Sequence, residues 1–153
     1  MQKAQLLIKE GTTPAAHKVL WRWLSSGVVN LSDFGNPGTG TDYLLCVYDA
    51  TGELLSAEAP AGGTWKASGT TGFIYTSKAG TPEGLTRVVL KAGSAGHGKL
   101  RVQGGGLHLA LPTLQLTTPV RAQLVQSSSS ACWEATYSTT VTNTAMEFKA
   151  KSD

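Results

Sequence analysis

A chain of 153 residues with a formal charge of +3 and only 15% charged residues is long enough to form one domain, burying about two thirds of the surface its unfolded form exposes. That composition excludes a disordered, charge-rich chain and means that neither a metal nor a disulfide is needed merely to fold. Its thirteen lysines and arginines never form a run of three, and its apolar runs fall far short of the ~20 residues a membrane-crossing helix needs. Neither nucleic acid nor a membrane span is therefore expected as a partner.

From the N-terminus the chain reads as short alternating segments cut by turn residues. Met1-Gln2-Lys3 leads directly into the strand-like run Ala4 to Lys9, with no secretion leader in between, and Lys18 to Leu24 follows. Ser25 to Thr41 is the longest stretch without strand character, a length at which loops are disproportionately functional or mobile. Further strands are predicted at Asp42 to Asp49, Leu54 to Glu58, Thr64 to Ala67, Phe73 to Ser77, Leu85 to Lys91, Lys99 to Gln103, Leu107 to Leu111, Val120 to Gln126, Cys132 to Thr136 and Met146 to Ala150. Asp49-Ala50-Thr51-Gly52 reads as a tight hairpin, and Gly35-Asn36-Pro37-Gly38, Thr81-Pro82-Glu83-Gly84 and Gly104-Gly105-Gly106 punctuate the rest. In Lys99-Leu100-Arg101-Val102-Gln103 the period of two puts Leu100 and Val102 on one side and the polar residues on the other. So many half-apolar strands require two packed sheets or a closed barrel. The expectation is an all-β, two-sheet antiparallel sandwich with minor helix, as a single domain over residues 1–153.

Few residues offer concentrated chemistry. Gly93-Ser94-Ala95-Gly96-His97-Gly98-Lys99 matches seven positions of a phosphate-binding loop, but Leu100 stands where Ser or Thr should hold magnesium and the segment runs into a strand rather than a helix. Ser94 lacks the glycine two positions earlier that a nucleophile elbow requires, and His17, His97 and His108 lie far apart. No cofactor is expected. Asp33, Asn36 and Asp42, in and beside the long loop, are the weak candidates for calcium; the competing reading is that their side chains bond nearby amides and shape turns. Trp21 and Trp23 share a strand face with Val19, which favours core packing; the alternative is that, with Trp65, they are candidates for stacking on sugar rings. Trp133 with Ala135 and Tyr137 reads as an inward face. Among the cations, only Lys99 with Arg101 and Lys149 with Lys151 are read as sharing a strand face. Cys46 and Cys132 are an even count suited to one disulfide, or two buried free thiols; alternation does not choose between them.

Leu7-Ile8-Lys9, Asp42 through Asp49, Pro60 through Ala67, Gly72-Phe73, Thr81 through Leu85, Leu111 through Leu114, Cys132 through Ala135 and Phe148 through Asp153 together make the chain resemble a tandem β-sandwich module of long secreted bacterial proteins, such as those of myxobacteria. The resemblance covers nearly the whole chain and names no catalytic residue. It implies an exported unit whose partners are neighbouring domains of the same polypeptide. Similar sequences often carry two further cysteines where this chain is shortened, between Thr64 and Trp65, which supports Cys46 and Cys132 as a disulfide. The functional expectation is a non-catalytic extracellular spacer or adhesion unit; the alternatives are a carbohydrate-binding module using Trp21, Trp23 and Trp65, and a small serine hydrolase.

Overall fold

Strands with one apolar side must hide it, and these do so by pairing into two antiparallel sheets laid face to face. The computed structural model describes residues 3–153; Met1 and Gln2, which the sequence reading runs straight into the first strand, lie outside them. The strands are β1 (Lys3–Lys9), β2 (Lys18–Leu24), β3 (Tyr43–Asp49), β4 (Gly52–Ala59), β5 (Trp65–Ser68), β6 (Gly72–Thr76), β7 (Leu85–Lys91), β8 (Lys99–Gly105), β9 (Val120–Gln126), β10 (Cys132–Tyr137), β11 (Thr142–Asn143) and β12 (Glu147–Lys151). One sheet has eight strands in the order β11-β12-β1-β2-β8-β7-β6-β5, the other four in the order β10-β9-β3-β4. Neither closes into a barrel, so the fold is the expected all-β sandwich. Helical structure among the described residues is limited to two 3₁₀ turns, Pro14–Ala16 and Leu31–Phe34.

The core follows from the alternation. Ala4, Leu6 and Ile8 of β1, Val19 and Trp21 of β2, Leu100 and Val102 of β8, and Val88 and Leu90 of β7 are buried from the large sheet. Tyr43, Leu45 and Val47 of β3, Ala122 and Leu124 of β9, and Trp133, Ala135 and Tyr137 of β10 meet them from the small one. Each large apolar side chain removed from water contributes about 1.5–3 kcal/mol. Inside, a line of rings runs through the sandwich: Phe34 to Trp133 at 5.5 Å between centroids, Trp133 to Tyr43 at 6.3 Å, Tyr43 to Trp65 at 5.4 Å and Trp65 to Tyr75 at 5.4 Å. These separations lie in the favourable range for aromatic pairs. Three of their polar tips have partners: Tyr43 Oη donates to the Phe34 carbonyl at 2.7 Å, Trp65 Nε1 to the Pro60 carbonyl at 3.1 Å and Tyr75 Oη to the Thr81 carbonyl at 2.9 Å.

Two hydrogen bonds join β2 to β10 across the sandwich. Trp21 Nε1 donates to Tyr137 Oη at 3.0 Å, fully buried, and Trp23 Nε1 donates to the Glu134 carbonyl at 3.2 Å. They fix which residues of the large sheet lie over which of the small.

The sequence reading predicts one strand too many and leaves out the two-residue β11. Leu107 to Leu111 is not a strand. It belongs to an irregular stretch between β8 and β9, in which Leu109, Leu114 and Leu116 are buried while Leu107 is 72% exposed. Gly84, at φ +100, is the reason Leu109 can dock: a Cβ there would stand 2.5 Å from the Leu109 Cα. The long segment Ser25 to Thr41 is anchored: Val29 bridges to Gly93, Asn30 and Asp33 form a reciprocal capping box on the second 3₁₀ turn, and Phe34 is buried.

Trp21→Phe and Tyr137→Phe should each destabilise the protein by about 1–3 kcal/mol, because each leaves a buried polar partner unpaired. The double variant should cost clearly less than the sum. Urea unfolding of the four proteins measures this, and strict additivity would mean that the bond contributes nothing.

Candidate anion-binding face

The residues singled out in sequence do not assemble into a site. Trp21 and Trp65 are buried, at 0% and 3% exposure, and Trp23 is half-buried against the core. The core reading of these rings therefore holds and the alternative, an aromatic platform, is not formed, because the rings sit on the inward side of strands covered by a second sheet. The expected disulfide is also absent: Cys46 and Cys132 are both free thiols. Both lie on the outer face of the small sheet, but Cys132 is opposite Val125 and Leu44, whereas Cys46 is opposite Gln123, two residues further along. Two strand spacings of about 4.8 Å plus that offset exceed the ~4.4–6.8 Å between Cα atoms that a disulfide spans. Burial, the main influence on it, pushes the Cys46 thiol up.

The calcium candidates are engaged in shaping the loop. Asp33 Oδ2 accepts from the Asn30 amide at 2.8 Å, the Asn36 carbonyl accepts from the amides of Thr39, Gly40 and Thr41, and Asp42 Oδ1 accepts from the Ala61 amide at 2.7 Å. Among the described residues no three His, Cys, Asp or Glu side chains cluster as metal ligands. Ser94 Oγ lies 3.2 Å from His97 Nδ1, but the same nitrogen is 3.1 Å from the Ala95 carbonyl and all three belong to one exposed turn. In that turn the amide of Gly93 donates to Val29, that of His97 to Ser94 and that of Gly98 to Ser25 Oγ. Three of the amides that would cradle a phosphate are thus spent within the fold.

What the register assembles instead is charge. Across the outer face of the large sheet one row runs Lys151, Gln5, Arg22, Arg101, Val89, Ile74, Lys66. Two residues toward one end lies the row Lys3, Leu24, Lys99, Lys91, and two toward the other lie Lys149, Leu7, Leu20, Gln103, Arg87 and then Glu147, Lys9, Lys18. Eleven of the thirteen lysines and arginines share this face; Lys78 and Arg121 are the exceptions. Glu147, opposite Lys9 at one margin, is the acidic residue in these rows. The outer face of the small sheet carries Glu53 and Glu58 on β4 and Glu134 on β10, with Arg121 between them on β9. The two broad faces of the sandwich are therefore opposite in charge.

Three directly facing pairs, Lys9 with Lys18, Arg22 with Arg101 and Lys91 with Lys99, are like-charged. Each costs a few tenths to about 1 kcal/mol rather than contributing. The Lys3 end of this face forms a groove of about 770 Å³ lined by Lys3, Gln5, Arg22, Leu24, Lys99, Arg101, Lys151 and Ser152, with Ala4, Trp23 and Leu100 beneath. Arg101 Nε is buried there with no hydrogen-bond partner among the described residues.

Sequence reasoning missed this face because each strand supplies only one or two cations and its neighbours come from distant parts of the chain. A signal was present: Lys3 and Lys9, Lys18 and Arg22, and Arg87 and Lys91 are also in phase within their own strands. Compared with family models, with curated proteins and with solved structures, the chain has no match.

A thiol reagent added to the native protein should modify Cys132 rapidly and Cys46 only on unfolding, two thiols in all without reduction. Finding no thiol in the unreduced, denatured protein would contradict the separation given by the register.

Proposed function

We propose that the chain is a non-catalytic adhesion module of a larger extracellular protein, holding to anionic surfaces through the outer face of its eight-stranded sheet. The observation that carries this reading is the gathering of eleven cations on one face with a single carboxylate at its margin. A sheet eight strands wide suits contact with an extended surface, and clustered charge accelerates encounter and gives selectivity for oppositely charged partners. The resemblance to tandem modules of secreted bacterial proteins supports an extracellular setting, in which neighbouring units of the same polypeptide multiply weak contacts.

Net charge alone would also draw a basic protein to a polyanion, so the test holds net charge constant. Lys18→Glu/Arg87→Glu alters the face, whereas Lys78→Glu/Arg121→Glu makes the same charge change elsewhere. Binding to dextran sulfate and polyuronate surfaces at physiological ionic strength should weaken about tenfold or more in the first variant, about 1.4 kcal/mol, and little in the second. Equal losses in both would reduce the interaction to bulk charge and overturn the reading.

A further inference from the structure

We infer that the groove at the Lys3 end of the basic face is a binding site for a carboxylate-bearing polysaccharide, one chain of which lies across β12, β1, β2 and β8. The inference rests on the adhesion reading and adds to it a location and a ligand chemistry. The groove crosses four strands, about 14 Å at 4.8 Å per spacing, and has a volume of about 770 Å³.

The pattern within it argues for the ligand class. Lys151 and Arg22 are separated by the neutral Gln5, and Lys3 and Lys99 by the apolar Leu24. In each of these two rows a pair of cations thus stands on alternate strands, about 10 Å apart, with amide or hydrocarbon between, and Arg101 continues the first row directly beside Arg22. A polyuronate presents carboxylates spaced along hydroxyl-bearing rings that also have C–H faces, and matches such an interrupted row. Duplex nucleic acid carries one charge per ~1.7 Å of axis and rewards unbroken cations. Single strands are held by stacking on aromatic rings, and these outer rows contain none.

The groove's polar groups suit carboxylates. Arg22 and Arg101 stand directly opposite one another on β2 and β8, so two arginine side chains leave the sheet side by side, and the planar guanidinium fork takes a carboxylate by paired hydrogen bonds. The unpartnered Arg101 Nε adds an unused donor. Ser152 Oγ accepts the Ala4 amide at 2.9 Å and keeps its own proton to donate to a ring hydroxyl. Bound carboxylate would also relieve the repulsion between the two arginines.

That repulsion supplies a test in which stability and binding move in opposite directions. Arg22→Gln and Lys99→Gln should raise the melting temperature slightly, since each removes a like-charged pair, while weakening binding to an oligogalacturonate by about tenfold or more and flattening its salt dependence. Affinity should rise with oligomer length and level off once the oligomer spans four strands; neutral dextran should not bind. If the wild type binds polyuronate and these variants bind as tightly while Lys18→Glu/Arg87→Glu does not, the adhesion reading survives and the groove assignment falls. A wild type that binds no polyanion overturns both. Tighter binding to a short DNA duplex or to dextran sulfate than to polyuronate, at matched charge, overturns the carboxylate assignment.

Discussion

The architecture depends on the register of β1, β2 and β8, the three strands at the centre of the large sheet. A side chain in a strand has only two directions, so a slip of one residue would send Leu6, Trp21 and Val102 outward and drive Gln5, Arg22 and Arg101 into the core. The penalty is large, because each unpaired buried charge costs several kcal/mol. Trp21 sits in the middle of β2 and its indole N–H reaches Tyr137 on the opposite sheet, so the same residue that fills the core also aligns the two sheets.

The basic face is a consequence of that constraint and also works against the fold. Three facing like-charged pairs together oppose folding by roughly 1–3 kcal/mol. Any one of the large inward side chains, such as Trp21 or Leu6, contributes a comparable amount when buried. Since there are many of these and few repulsive pairs, burial wins and the charges are held together. A face that is destabilising by itself, and whose described rows hold their acidic residue, Glu147, at the margin away from Lys3, is poised to gain from an anionic ligand.

Much of the fold was legible because it rests on local alternation. β2, β7 and β9 coincide with the segments Lys18 to Leu24, Leu85 to Lys91 and Val120 to Gln126, and the hairpin at Asp49-Ala50-Thr51-Gly52 forms with Asp49 Oδ1 accepting the Thr51 amide at 2.7 Å. Leu107 to Leu111 misled because its leucines are apolar for a different reason: Leu109 plugs against Gly84 from an irregular chain. The tryptophans read as core and are core, with the exposed platform left open as the alternative because period two tells which residues share a face but not whether that face is covered. The basic face was least legible. Arg22 and Arg101 are neighbours only because β2 pairs with β8, and strand order is decided by the sum of tertiary contacts rather than by any local segment. The cysteines show the same limit: both lie on one outer face, yet their separation depends on β9 and β3 lying in between.

The central claim is that burial of one strand face pins the pairing that collects the cations, and cross-strand nuclear Overhauser effects test it most directly. In the isotope-labelled protein, backbone contacts should link Arg22 with Gln5 on one side and Arg101 on the other, and Leu24 with Lys3 and Lys99. Contacts placing Trp21 opposite Arg101, or β2 beside a strand other than β1 and β8, would contradict the account.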